Sequence, residues 1–162
     1  MGVDSGLPDF RGNQGFWNAY PAFRDLGLRF VDLASPHWVD TDPSRAGGGY
    51  GHRLSLYRRT RPHAVFSVLS NVAEKLPGVV CVYTSNVDGH FQKSGFSDQQ
   101  IVECHGSIHH LQCAKACTDT IWSADPEEIG VDETTCRAVG EMPRCPRCGG
   151  VARPNILMFG DG

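Results

Sequence analysis

Four cysteines stand in two close pairs, Cys113-x3-Cys117 and Cys145-x2-Cys148, with 27 residues between the pairs. Two thiolates on one short loop can reach a single ion at about 2.3 Å, and two such loops supply the tetrahedral set that zinc takes in structural sites. Pro146 and Gly149-Gly150 permit the tight turn around the second pair. Four sulfur ligands leave no position for water, so the spacing predicts a closed structural site rather than a catalytic one. Cys136 could substitute as a ligand but has no close partner, while Cys81 and Cys104 lie in apolar runs and read as core residues.

A second set of residues could move protons. His105 ends the run Glu103-Cys104-His105-Gly106. An imidazole whose ordinary pKa is near 6.5 can accept a proton at neutral pH, and the following glycine allows close backbone approach to a ligand. Asn86 and Asp88 sit in Thr84-Ser85-Asn86-Val87-Asp88-Gly89. They could bind a polar ligand or simply cap a turn. Asp9 and Arg11 flank Phe10 and could form no more than a local ion pair. His109 and His110 are adjacent, so in an extended segment they point to opposite sides and do not suggest a second metal.

The elements that must carry these residues can be sketched from periodicity. Residues 1–20 hold Gly2, Gly6, Pro8, Gly12 and Gly15 and read as an ordered loop. Residues 21–42 read as short helices and turns, and Pro43 to Gly49, with three consecutive glycines, as a small-residue loop. Pro62 is expected to open a helix whose apolar positions, Val65, Phe66, Val68, Leu69, Val72 and Leu76, recur at helical spacing until Pro77-Gly78 ends it. Residues 79–83 (Val-Val-Cys-Val-Tyr) read as a strand buried on both faces, as in a parallel sheet, with weaker strands at Ile101-Val102 and at residues 156–159. In an open α/β sheet ligands collect at the carboxyl ends of such strands, which is where residues 84–89 and His105 fall.

Composition bounds the partners. The chain has 162 residues, 40% hydrophobic and 20% charged, within the range of one globular domain. A net charge of −3 gives no basic field for neutralising phosphates, so no nucleic acid partner is expected, and the run Tyr57 to Arg61 reads as a solvated helix face. No apolar stretch approaches the ~18 residues needed to span a bilayer, so no membrane partner is expected. Seven cysteines, an odd number with four closely paired, suit a reducing compartment, and a cytoplasmic location is expected.

The residues also carry a resemblance. Residues 5–12 (Ser-Gly-Leu-Pro-Asp-Phe-Arg-Gly), residues 84–89, His105-Gly106-Ser107, the two cysteine pairs, and Arg153-Pro154 through Phe159-Gly160-Asp161 resemble the sirtuins in order and spacing. The resemblance covers essentially the whole chain. It implies an α/β fold, a partial Rossmann-type parallel sheet with an inserted small zinc-binding module. Residues 113–148 would be the module, and 1–112 with 149–162 the Rossmann and helical parts, of a partial sirtuin catalytic domain. It implies an NAD-dependent protein-lysine deacylase, with NAD as consumed co-substrate, structural zinc, and acylated lysines of proteins as partners. Nicotinamide and an O-acyl-ADP-ribose would be the products. A catalytically inactive zinc-stabilised fragment or binding module is the alternative.

The resemblance further implies residue roles. Asp9, Phe10 and Arg11 would lie on the loop covering NAD, Phe10 shielding the reactive ribose carbon. Asn86 would hold the ribose and a water, Asp88 the nicotinamide carboxamide, and His105 would act as general base. Tyr50-x-x-Arg53 resembles the pair that sirtuins selective for acidic acyl groups place at the floor of the acyl pocket, although an ordinary helical Tyr/Arg pair reads the same way. The match is already in mid-motif at the first residues, so the family's Gly-Ala-Gly phosphate turn would precede Met1 and the second half of the sheet would follow Gly162. Ser85 stands where the family commonly has glutamine, and His90-Phe91 where it has Leu-His.

Overall fold

The computed structural model describes residues 1–10 and 12–161. Among these residues the α-helices are α1 Asn13–Ala19, α2 Pro21–Asp25, α3 Phe30–Leu33, α4 His37–Thr41, α5 Pro43–Arg59, α6 Ala64–Ala73 and α7 His90–Lys93. The strands are β1 Val82–Thr84, β2 Ile101–Glu103, β3 Gly106–Cys113, β4 Trp122–Ser123, β5 Gly130–Asp132, β6 Arg137–Val139 and β7 Ala152–Ile156. None of these helices is long and apolar enough to cross a membrane.

β1 and β2 pair in parallel, with Val82 opposite Ile101 and Thr84 opposite Glu103. β3 is the centre of an antiparallel sheet in the order β4-β3-β7, and β5 and β6 form a hairpin. β3 therefore joins the two candidate sites: it starts one residue after His105 and finishes on Cys113. The expected parallel strand begins later than its apolar run, since β1 starts at Val82, and it is not covered on both faces. Val79, Tyr83 and Val102 are exposed. Among the described residues this sheet has two strands, and those side chains are left uncovered. Cys81 and Cys104 are likewise exposed, not core residues.

The largest departure from expectation is α5. Its first turns run through Ala46-Gly47-Gly48-Gly49, read above as a loop, because helical glycine costs only about 1 kcal/mol each and packing can offset that. A Cβ on Gly48 would lie 2.0 Å from the Cys136 carbonyl oxygen, and one on Gly47 would lie 2.2 Å from the Met142 sulfur. The glycines let α5 press against the β5-β6 hairpin, and Asp42 fastens the contact. Its carboxylate accepts the Arg45 backbone N–H at the helix start and both Nη groups of Arg137 at 2.8 and 2.7 Å.

Two apolar clusters meet over this helix. Tyr50, Leu54 and Tyr57 of α5 pack on Ile108 and Leu111 of β3, with Leu7, Ala124 and Ala152. Phe16, Tyr20 and Phe23 pack with Leu33 and Cys136 in a second cluster. Phe16 is why residues 13–19 are helical rather than loop: a helix starting at Asn13 puts its ring and that of Tyr20 on one buried side. Phe10 touches both clusters. The helix expected from Pro62 spans only Ala64–Ala73, because the His63 imidazole caps it by accepting the Val65 N–H. β7 ends at Ile156, so Leu157–Phe159 lie beyond the strand. Arg58, expected in solvent, instead donates to the carbonyls of Glu127 and Ala124.

Candidate functional site

The parallel register of β1 and β2 sets their carboxyl ends side by side. The Cys104 N–H donates to the Thr84 carbonyl at 3.0 Å, and one residue further His105 Nδ1 lies 3.1 Å from the Ser85 carbonyl. A carbonyl can only accept, so Nδ1 carries the proton and Nε2 keeps its lone pair. The anchor is main chain, which makes the unusual Ser85 side chain irrelevant to it. Gly106 is required immediately after: it has φ +73°, and a Cβ would sit 2.0 Å from the Asn155 carbonyl oxygen.

Beyond β1 the chain turns through Asn86, whose N–H donates to the Thr84 hydroxyl, and Asp88, which is buried. Asp88 Oδ1 accepts the His90 N–H at 3.0 Å, and its main-chain carbonyl lies 3.1 Å from His109 Nε2. Gly89, at φ +69°, leaves room for that His109 ring. His109 and the fully buried His90 thus support the turn from beneath. The sequence reading assigned neither a role. For His109 the only signal was the period-2 pattern that turns it inward while His110 faces solvent.

Asn86, Asp88 and His105 line one cleft of about 590 Å³ together with Asp9, Phe10 and Arg53. That is within the usual size of a small-molecule site. Asp9 Oδ1 accepts the Gly12 N–H at 3.2 Å, and Phe10 lies against Phe30, Tyr57 and Tyr20. Arg11 lies outside the described residues. The sequence candidates therefore converge, with one separation. Arg53 lines the cleft, whereas Tyr50 does not, and the Tyr50 hydroxyl donates to the Ile108 carbonyl at 3.3 Å.

Arg53 is buried among aromatic rings, its guanidinium 5.1 Å from Phe30, 5.4 Å from Phe10 and 5.5 Å from Tyr57. Among the described residues its one hydrogen bond is a long one to the Tyr57 hydroxyl, 3.4 Å, and Nε has no partner. The floor behind the cleft is pinned elsewhere by a better pair: Arg153 of β7 donates from both Nη groups to Asp161, which also accepts the Met158 N–H.

The four cysteines come together at the other end of β3. All four sulfurs lie within 4.8 Å of one another, with Cys113 to Cys148 at 3.7 Å and Cys117 to Cys145 at 3.6 Å. A tetrahedral ion with bonds of about 2.3 Å needs sulfurs about 3.8 Å apart, so the set fits zinc. Each pair lies in a tight turn: Ala116 N–H donates to the Cys113 carbonyl, and Gly149 N–H to that of Cys145. The backbone N–H of Cys117 draws the Cys113 thiol down to about 6, while Cys117, facing the other sulfurs, is pushed up to about 12. Cys145 is likewise lowered, by the backbone N–H of Cys148, so some thiolates form readily while Cys117 is opposed by its neighbours, a conflict that a dication would resolve. Cys136 is not among them; it is buried in the aromatic cluster.

The whole chain, residues 1–162, matches the Sir2 family. An NAD-dependent protein deacetylase of Caldivirga maquilingensis is 31% identical over 162 residues, a match covering 99% of this chain and 55% of that protein. An NAD-dependent protein deacylase of Pyrococcus furiosus is 29% identical over 161 residues, covering 99% and 58%. The crystal structure of a Sir2 homologue in complex with NAD has a TM-score of 0.74 at 24% identity, covering 99% of this chain and 54% of that one. The chain therefore spans little more than half the length of the curated relatives it matches.

Proposed function

This chain belongs to the Sir2 family, and from that premise we propose that the protein carrying it is an NAD-dependent protein-lysine deacylase that releases nicotinamide. The observation that carries the reading is the convergence of His105, Asn86 and Asp88 with Asp9 and Phe10 on one cleft. Residues 113–148 are taken as a zinc-binding module inserted between 1–112 and 149–162.

NAD, when bound, supplies the electrophilic ribose carbon to which the acyl oxygen of the substrate lysine is transferred. Asn86 and Asp88 would hold it by hydrogen bonds, the exposed amide at the ribose and the buried carboxylate at the carboxamide N–H groups. Phe10 covers the cleft with an apolar face that excludes water. His105 receives a proton at Nε2, the nitrogen left basic by the Ser85 anchor, and the same anchor stabilises the imidazolium that forms. The four cysteines hold zinc away from this chemistry.

Measuring nicotinamide release from NAD with and without an acyl-lysine peptide tests the reading. Release that requires the peptide is expected. Peptide-independent release would identify a hydrolase instead, and no release by the folded protein would end the proposal.

For the acyl group itself, Arg53 favours a distal carboxylate. A buried guanidinium without an acidic partner is costly, and a ligand carboxylate would both neutralise it and occupy its free Nε–H. Succinyl-lysine is then expected to be hydrolysed in preference to acetyl-lysine, with Arg53→Met reversing the order. A wild-type preference for acetyl would refute this.

A further inference from the structure

β3 changes partner within its own length. It pairs with β7 at Gly106 and Ser107 and again from Leu111, and the register slips between them. In that gap the strand turns to the 84–89 segment instead. The Ile108 N–H donates to the Val87 carbonyl at 3.1 Å, and the next residue, His109, sets Nε2 of its ring 3.1 Å from the Asp88 carbonyl. That oxygen can only accept, so Nε2 carries the proton. Gly89 makes the contact possible, since a Cβ there would lie 2.8 Å from His109 Cδ2 and 2.9 Å from Nε2. The His109 main chain is held in turn, its carbonyl accepting the Ala124 N–H at 2.8 Å.

We infer that His109, which lies outside every motif that carries the family resemblance, is the positioning residue for Asp88 and through it sets the affinity of the site for the nicotinamide end of NAD. The inference rests on the reading of Asp88 as acceptor of the carboxamide N–H groups and names what aims it. Asp88 is held at two points. Its Oδ1 accepts the His90 N–H and its main-chain carbonyl accepts the His109 ring, which leaves Oδ2, with no hydrogen bond among the described residues, for a donor on the ligand. The peptide between Asp88 and Gly89 is the freest of the turn, because glycine at φ +69° opposes rotation least, and the imidazole is what fixes it. Asn86 is anchored separately by the Thr84 hydroxyl, and Val87 by Ile108, so the ribose side of the site does not depend on the ring.

The test compares nicotinamide with ADP-ribose, which lacks it, on the protein that carries this chain. His109→Phe keeps the bulk of the ring and removes the donor. It is expected to raise the inhibition constant of nicotinamide and the KM for NAD about three- to tenfold, the range for one net hydrogen bond. The ADP-ribose affinity, read by titration calorimetry, and the KM for the acyl peptide should stay at their wild-type values. His109→Gln, whose amide N–H reaches the same point, should restore nicotinamide inhibition. Gly89→Ala, which drives a Cβ against the ring, should repeat the result of His109→Phe and carries the test if that variant does not fold. Equal losses of nicotinamide and ADP-ribose affinity would make His109 a part of the scaffold only, and unchanged nicotinamide inhibition would likewise overturn the inference. Asp88→Asn separates the two readings. Inhibition weakened by Asp88→Asn but not by His109→Phe overturns the positioning role alone, whereas inhibition untouched by Asp88→Asn overturns the carboxamide reading and this inference with it.

Discussion

His105 Nδ1 and the Ser85 carbonyl oxygen, 3.1 Å apart, tie together the carboxyl ends of the two parallel strands. The bond fixes the ring plane and the tautomer at once, and it depends on register: Thr84 opposite Glu103 places Ser85 opposite the turn that carries His105. A base held this way needs no carboxylate behind it. Removing the imidazole with His105→Ala is expected to lower peptide-dependent nicotinamide release by about a hundred- to ten-thousand-fold, the usual range for a general base. Peptide affinity should change little, and an equal loss in affinity would assign His105 to binding instead.

The zinc site yields a prediction in which cysteines behave in two classes. Serine at Cys113, Cys117, Cys145 or Cys148 should abolish stoichiometric zinc and unfold the module, because an ion held by the four converging sulfurs would tie β3 to the 145–148 turn. Cys136→Ser should leave zinc content unchanged, since that residue packs on Phe16 and Tyr20. Atomic absorption with a thermal melt distinguishes the classes. Zinc lost in the Cys136 variant would contradict the assignment.

Gly48 gives a prediction of opposite sign to the ordinary rule. Replacing glycine by alanine inside a helix normally stabilises by about 1 kcal/mol. Here the new Cβ would lie 2.0 Å from the Cys136 carbonyl oxygen. Gly48→Ala is expected to destabilise by about 1–3 kcal/mol, the range for overpacking, with Ser55→Ala on the exposed side of α5 as the control that does not. Urea denaturation measures both.

The same glycines show why part of the fold could not be read from the chain. Local composition marks Ala46-Gly47-Gly48-Gly49 as a loop, and only the approach of a hairpin some ninety residues later makes it helical. The parallel pair, the two strand-end motifs and the cysteine quartet were legible because each is set by local pattern or ligand spacing. The exposure of Val79 and Cys81 was not, since an apolar run says that a surface wants cover and not whether a neighbour lies over it. Arg53 was legible as a candidate, yet its burial among aromatic rings, with no acidic partner among the described residues, depends on Phe10, Phe30 and Tyr57 folding around it.

His90 contributes to the acid limb of stability. It is fully buried, neither ring nitrogen has a hydrogen-bond partner among the described residues, and Phe66 lies edge-on at 5.5 Å. Burial pushes its pKa down, only partly opposed by Asp88 at 3.9 Å, and burial does the same to His109 and His52. The folded state thus keeps these rings neutral at pH values where the unfolded chain protonates them. The unfolded state binds more protons, so stability falls as pH drops below about 6.5, the ordinary histidine value, until the depressed folded-state pKa is reached. His90→Leu removes one of these groups and two orphaned ring nitrogens, while the His90 N–H that Asp88 accepts is main chain and survives. The variant is expected to be as stable as the parent or more so at neutral pH, with a shallower loss toward acid. Urea midpoints at several pH values decide the matter: a slope unchanged by the substitution would mean that His90 titrates alike in the folded and unfolded states.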